Sequence, residues 1–169
     1  MIHLICGPMG AGKTRLAHKL AKQHNAIRFS EDEWLNQLFV ADAPVGLLAQ
    51  PAEEIAAWAS ERYQRCRGQI SLVFKQLLAQ NINIVLDGAA ANQEQRNLIR
   101  KKAKESKTGF QLYYVDSSRE LRKQRVKARN IDQGETYSLE VTDSMFDLME
   151  VFFEPPVAEE LSQALVIST

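Results

Sequence analysis

Cysteine is scarce in this chain: only Cys6 and Cys66 stand among 169 residues. Two thiols cannot build a disulfide framework or a metal knuckle, so both read as reduced side chains in or near the core. Three histidines, His3, His18 and His24, lack metal-ligand spacing and read as packing or surface residues. No run approaches the roughly 18 to 20 apolar residues that a membrane span needs. The first residues, Met1-Ile2-His3-Leu4-Ile5-Cys6, carry no basic leader and no cleavage site, so a cytoplasmic protein without a signal peptide is expected. Excess charge is missing too. Lys plus Arg number 21 and Asp plus Glu 21, which argues against retention on nucleic acid or anionic lipid by global charge. What is present is ordinary for a globular protein: 45% hydrophobic and 25% charged residues, too apolar for disorder. The length suits one domain over 1–169 with a real core. No internal repeat or low-complexity tract is visible.

The neutral total hides an uneven distribution. Residues 1–93 carry a net +1, residues 94–129 a net +8, and residues 130–169 a net −9 with no basic side chain. Two readings stay open. The basic and acidic surfaces pair with each other or are solvated, or part of the basic block faces a polyanion such as a triphosphate.

Apolar runs alternate with helical patterns along the chain. Strands are expected at 2–6, 26–29, 82–86, 110–115 and 165–167, the last as an edge strand. Helices are expected at 14–24, 30–39, 52–80, 92–107, 117–129 and 144–152, with an interruption of the long one near Gly68. Ser30 and Glu33 have capping-box spacing. Pro44, Gly46 and Pro51 punctuate a loop, and 130–142 reads as a mobile loop. Strand and helix repeated in this way predict a parallel five-stranded sheet covered on both faces. Such sheets bind ligands beyond the carboxyl ends of their strands.

At the first of those ends stands Gly7-Pro8-Met9-Gly10-Ala11-Gly12-Lys13-Thr14, a full G-x-x-x-x-G-K-[ST] match between a strand and a helix. Glycines let the loop turn its N–H groups inward, and the helix that follows presents its positive end to phosphate. Lys13 is expected on the β- and γ-phosphates of ATP and the Thr14 hydroxyl on Mg²⁺. Asp32 lies just past the second strand, where a carboxylate can orient an acceptor hydroxyl and take its proton. Alternatively, Glu31, Asp32 and Glu33 only favour a helix N-terminus. Asp87 ends the third strand and is expected to contact Mg²⁺ or the acceptor. Arg125 and Arg129 share one helix face and lead into the loop, where a guanidinium can stabilise transferring charge. Arg96, early in the next helix, is expected to reach substrate. Arg119, Arg122, Lys123 and Lys127 read as mostly solvated. Trp34, Trp58, Tyr63, Phe146, Phe152 and Phe153 read as core or pocket wall.

With these residues in place, the chain resembles the AAA_33-type P-loop ATP-binding proteins, a group of predicted kinases similar to polynucleotide kinases, zeta toxins and chloramphenicol phosphotransferases. The resemblance runs through GPMGAGKT at 7–14, SEDEW at 30–34, NIVLDG at 83–88, Arg125 with Arg129, and FEPP at 153–156. It implies a three-layer nucleoside-kinase-like α/β fold with a small lid near 125–144. It also implies Asp32 as base, Arg125 or Arg129 as lid arginine, and a phosphate or acceptor role for Arg96. One departure is Ala89-Ala90-Ala91-Asn92, where members often carry an aromatic residue and a Ser or Thr. The expected activity is Mg²⁺-dependent transfer of the ATP γ-phosphoryl to a hydroxyl. The acceptor is expected to be a small molecule or nucleotide, with a nucleic-acid end less favoured and no membrane partner. The rival is a nucleotide-binding switch or ATPase without a phosphoryl acceptor.

Overall fold

Five apolar runs form one parallel sheet in the computed structural model, which describes residues 1–88, 90–134, 137 and 140–169. The strands are β1 (Ile2–Cys6), β2 (Ala26–Ser30), β3 (Asn83–Asp87), β4 (Phe110–Asp116) and β5 (Ala164–Ser168), in the order β2-β3-β1-β4-β5. The helices are α1 (Lys13–Gln23), α2 (Glu31–Phe39), α3 (Ala52–Ala79), α4 (Gln93–Glu105), α5 (Arg119–Asp132), α6 (Asp143–Phe152) and α7 (Ala158–Leu161). No helix among the described residues is long and apolar enough to cross a membrane. The expected lid at 125–144 falls partly outside the described residues, as does Ala89 of the expected departure.

Alternation along the buried strands explains the layers. Ile2, Leu4 and Cys6 join Phe74, Ile99 and Leu112 in the core beneath α3 and α4. Ile5 joins Ala17, Leu20, Val85 and Val115 on the opposite face, beneath α1. A smaller cluster of Val126, Val141 and Phe146 ties α5 to α6 and receives Met9 from the first loop. His3 is buried, stacks on His24 at 4.2 Å between ring centroids, and shares a 3.1 Å hydrogen bond with the Tyr113 hydroxyl.

Register sets up the site. Ile5 and Ser30 both pair with Asp87, and Cys6 pairs with Tyr114. Gly7, Glu31, Asp32 and Asp87 therefore emerge along one carboxyl edge.

Local structure departs from expectation in a few places. α3 runs unbroken through Gly68, because one glycine costs a helix only about 1 kcal/mol. Ser30 does cap α2, accepting from the Glu33 N–H at 3.3 Å. The Glu33 carboxylate, however, turns to Arg28 at 2.5 and 2.6 Å instead of closing the capping box. α5 extends to Asp132, and Asn130 brackets Val141 with two hydrogen bonds. Two short 3-10 turns, Val40–Asp42 and Leu47–Ala49, stand in the expected loop between α2 and α3.

The basic block and the acidic segment pair with each other. Arg119 meets Asp147, Arg122 meets Glu150, Lys123 and Lys127 meet Asp143, and Arg96 and Arg100 meet Glu160.

Candidate functional site

The loop Gly7–Gly12 is fitted tightly between sheet and helix. Gly10 has φ 77°, and a Cβ there would stand 2.6 Å from the Arg122 carbonyl oxygen. A Cβ on Gly7, at φ 154°, would stand 2.5 Å from the Val115 carbonyl oxygen. Both positions exclude a side chain by close approach as well as by backbone angle. The helix that follows is differently started from its neighbours. Ser30, Asn92, Ser118 and Thr142 each cap their helices through a side-chain oxygen. α1 begins after Gly12 with no side-chain cap and no acidic residue in its first turn. Its positive end is thus left for an anion.

Lys13 donates to the Pro8 carbonyl at 3.0 Å, so its ammonium lies folded over the loop. Burial pulls it below the ordinary lysine range, against the attraction of Asp87 and Asp32. Asp87 is buried beside it. Burial pushes its carboxyl up, while Lys13, a hydrogen bond with the Thr14 side chain and Arg28 act in the opposite direction. The Arg28 guanidinium stands 3.4 Å from Asp87. No cluster of three or more His, Cys, Asp or Glu able to hold a metal is found among the described residues. One hydroxyl and one carboxylate fit a hard cation that takes its remaining ligands from phosphate and water, the habit of Mg²⁺. The pair Thr14 and Asp87 is therefore compatible with Mg²⁺ brought in with a triphosphate.

The start of α2 faces the middle of α3. Asp32 is exposed to the cavity, and the Tyr63 hydroxyl donates to its Oδ1 at 2.6 Å. Burial and the Asp32 charge hold Tyr63 well above the ordinary phenol range, so it remains a donor. Glu31 has the opposite environment. It is 3% exposed and accepts two 2.9 Å hydrogen bonds from Arg67 Nε. Burial lifts its carboxyl to about 7 even so. Sequence alone gives Glu31 only a helix-start role and does not single out Arg67, since three consecutive acids look alike until one is buried.

α5 presents Arg122, Arg125 and Arg129 along one face. Arg125 donates to Thr169 Oγ1 at 3.0 Å and more distantly to Ser117 Oγ and the Ala11 carbonyl. Arg129 lies near enough to Lys13 to oppose its charge, and its Nε is buried with no partner among the described residues. Arg122 corrects the expectation of a solvated side chain. It is 5% exposed, pairs with both Glu150 oxygens at 2.5 and 2.6 Å, and donates to the Met9 carbonyl at 3.1 Å. It braces the phosphate loop from behind.

Arg96 is the second correction. Its guanidinium is fully buried, grips Glu160 through two 2.8 Å bonds, and donates to the carbonyls of Glu154 at 2.8 Å and of Ala90 and Pro155 at 3.4 Å. With its donors engaged inside the protein, Arg96 does not reach substrate. The same geometry accounts for FEPP. The Glu154 N–H donates to Ala91, its carboxylate accepts from the Gln93 N–H at 3.0 Å, and Arg96 holds both carbonyls that follow.

Lys13, Thr14, Asp32, Arg125 and Arg129 line one cavity of about 1620 Å³, together with Glu31, Tyr63, Arg67 and the aromatic rings of Trp58, Phe152 and Phe153. Neither Arg96 nor Asp87 lines it. A cavity of this volume is large enough for a nucleotide and a second molecule.

Comparison with known proteins agrees with this architecture. The structure is similar to a sugar kinase from Janibacter sp. HTCC2649, at 13% identity and TM-score 0.64, covering 99% of this chain and 84% of that one. It is also similar to Kti12 from Chaetomium thermophilum in complex with ADP-AlF3, at 16% identity and TM-score 0.68, covering 99% and 89%. A gluconokinase from Sinorhizobium meliloti 1021 aligns at 15% identity and TM-score 0.60, covering 98% and 81%. At such identities the likeness shows the fold, that of P-loop kinase-like proteins. No curated protein sequence matches. The AAA_33 profile, described as an AAA domain, matches residues 2–156. A phosphate loop on this sheet edge and a family match over nearly its whole length lead to one conclusion: the chain belongs to the AAA_33 family of AAA domains.

Proposed function

We propose that the protein is an ATP-dependent kinase that moves the γ-phosphoryl group to a hydroxyl acceptor. The observation that supports this reading is the convergence of Lys13, Thr14, Asp32 and Arg129 on one cavity at the mouth of an uncapped helix. Gly7, Pro8, Met9, Gly10, Ala11 and Gly12 wrap the triphosphate, each but Pro8 carrying a backbone N–H, and Lys13 leaves the Pro8 carbonyl for its outer oxygens. Thr14 and Asp87 would hold Mg²⁺, which would supply charge neutralisation for the transferring phosphoryl. Asp32, steadied by Tyr63, orients the acceptor hydroxyl and receives its proton. The new bond joins the acceptor oxygen to the γ-phosphorus. The bond to the β–γ bridging oxygen breaks, and ADP departs with that electron pair. Arg129, whose Nε has no partner among the described residues, is the arginine assigned to the transferring phosphoryl, whereas Arg125 secures the loop through Ala11 and Thr169.

The test is incubation with Mg²⁺ and γ-labelled ATP against nucleosides, sugars, antibiotics and 5′-hydroxyl oligonucleotides. Label in an acceptor that disappears in Asp32→Asn, while ATP binding persists, is the expected result. Label found only as free phosphate across the panel would turn the assignment to an ATPase or nucleotide switch.

A further inference from the structure

The cavity has two chemically distinct ends. Lining cations on the phosphate side belong to α1 and α5: Lys13, Arg15, Lys19, Arg125 and Arg129. On the other side, formed by α2, α3 and the turns between them, the charged lining groups are Glu31, Asp32, Glu53 and Arg67. Arg67 is the one cation in that set, and it is held on the buried Glu31 carboxylate. Nearby arginines are engaged elsewhere. Arg28 pairs with Glu33 and Asp87, and Arg62 donates to the Trp58 carbonyl and lies over the Trp58 ring at 4.2 Å. Most of the remaining wall is apolar, with Leu47, Ala52, Ile55, Ala56 and Trp58 facing the space beyond Asp32. The Trp58 Nε1 is buried with no partner among the described residues, a donor that an ether or carbonyl oxygen can satisfy.

We propose that the acceptor of this kinase is an uncharged hydroxyl compound with a flat apolar body, and that Glu31 excludes anionic acceptors by occupying Arg67. The inference rests on the phosphotransfer reading above and narrows its acceptor. A carboxylate or phosphate on the acceptor enters beside Asp32 and Glu53 and finds, among the described residues, no lining cation on that wall except Arg67, already paired with Glu31. Both contacts repel, and the apolar surface offers no solvation in exchange. A neutral ring replaces water against Leu47, Ile55 and Trp58 and leaves its hydroxyl at Asp32. Nucleotides, phosphosugars and 5′-hydroxyl nucleic-acid ends fall in the excluded class. Glu31 and Arg67 act here as specificity-determining residues, since neither takes part in the transfer itself.

The experiment is calorimetry at pH 8 on the full chain loaded with Mg²⁺ and a non-hydrolysable ATP analogue. The probes are phenyl β-D-glucopyranoside, its carboxylated counterpart phenyl β-D-glucuronide, and a 5′-hydroxyl thymidine dinucleotide. The glucopyranoside is expected to bind at least about tenfold more tightly than either anion. In Glu31→Gln, the freed guanidinium is expected to shrink that ratio at least about threefold. In the double variant Glu31→Gln with Arg67→Gln, the preference for the neutral probe is expected to return. Equal or tighter binding of an anionic probe by the unmodified protein overturns the inference, and so does failure of the glucopyranoside to bind. That comparison needs no variant to fold. A ratio unchanged in well-folded Glu31→Gln overturns the part assigned to Arg67. Failure of the nucleotide analogue itself to bind is a separate outcome, and it removes the kinase reading underneath.

Discussion

Replacing Glu31 with Gln should change how stability depends on pH, and the change can be worked out from two buried groups. Glu31 titrates at about 7 in the folded protein against an ordinary 4.5. Between those values the native state keeps a proton that the unfolded chain releases, so stability falls as pH rises, by about 3 kcal/mol in all. His3 does the reverse. Burial and the nearby His24 hold its imidazole at about 4 against an ordinary 6.5. The unfolded chain takes up a proton below 6.5 that the native state refuses, so stability falls as pH drops toward 4, again by about 3 kcal/mol. Over roughly 4.5 to 6.5 the two slopes oppose each other and nearly cancel. Glu31→Gln removes one of them. The variant should lose about 2.5 kcal/mol between about pH 6.5 and 4.5, where the parent protein changes much less. Arg67, left without its carboxylate, keeps partial access to water and shifts the curve without tilting it. Urea unfolding followed by far-ultraviolet circular dichroism across this range measures the slopes. Parallel curves for parent and variant would refute the reasoning.

Other expected outcomes follow from the same geometry. Asp32→Asn should lower kcat for phosphoryl transfer by about two to four orders of magnitude with nucleotide affinity little changed, as read by single-turnover labelling and calorimetry. Arg129→Ala should cost kcat more than nucleotide affinity. Arg125→Ala, which releases Ala11 and Thr169, should weaken nucleotide binding, so steady-state kinetics on both variants separates the two roles. Arg96→Leu should destabilise the protein by about 3 to 5 kcal/mol by stranding the Glu160 carboxylate. Arg96→Leu with Glu160→Leu should recover much of that loss in thermal unfolding, which a substrate-binding arginine would not do.

The phosphate loop was legible because its chemistry is local. Glycines, Lys13 and Thr14 sit within eight consecutive residues between an apolar run and a helix. Asp32 and Asp87 were legible by position, since strand ends of a parallel sheet share one edge and the register brings Ser30 opposite Asp87. The arginines were harder, because a guanidinium's role depends on a partner far along the chain. Arg96 finds Glu160 64 residues later, and Arg122 finds Glu150 28 residues later. Neither distance has a local signature. A signal for Arg122 did exist: it precedes Arg125 and Arg129 at three and seven residues, one helical stripe flanked by Val126. Glu31 illustrates the same limit, because its burial depends on Arg67, 36 residues away on another helix.

The mutual neutralisation of residues 94–129 and 130–169 has a consequence for how the molecule is made. Translation delivers the cationic stretch first, so residues 94–129, net +8, are made before the acidic residues that neutralise them. Until the acidic remainder and β5 emerge, that intermediate is a polycation next to ribosomal RNA, with the β4 flank of its sheet still bare. Vectorial synthesis therefore postpones closure of the sheet until residues 130–169 are made, and a ribosome that stalls between the two blocks leaves a product prone to stick to polyanions.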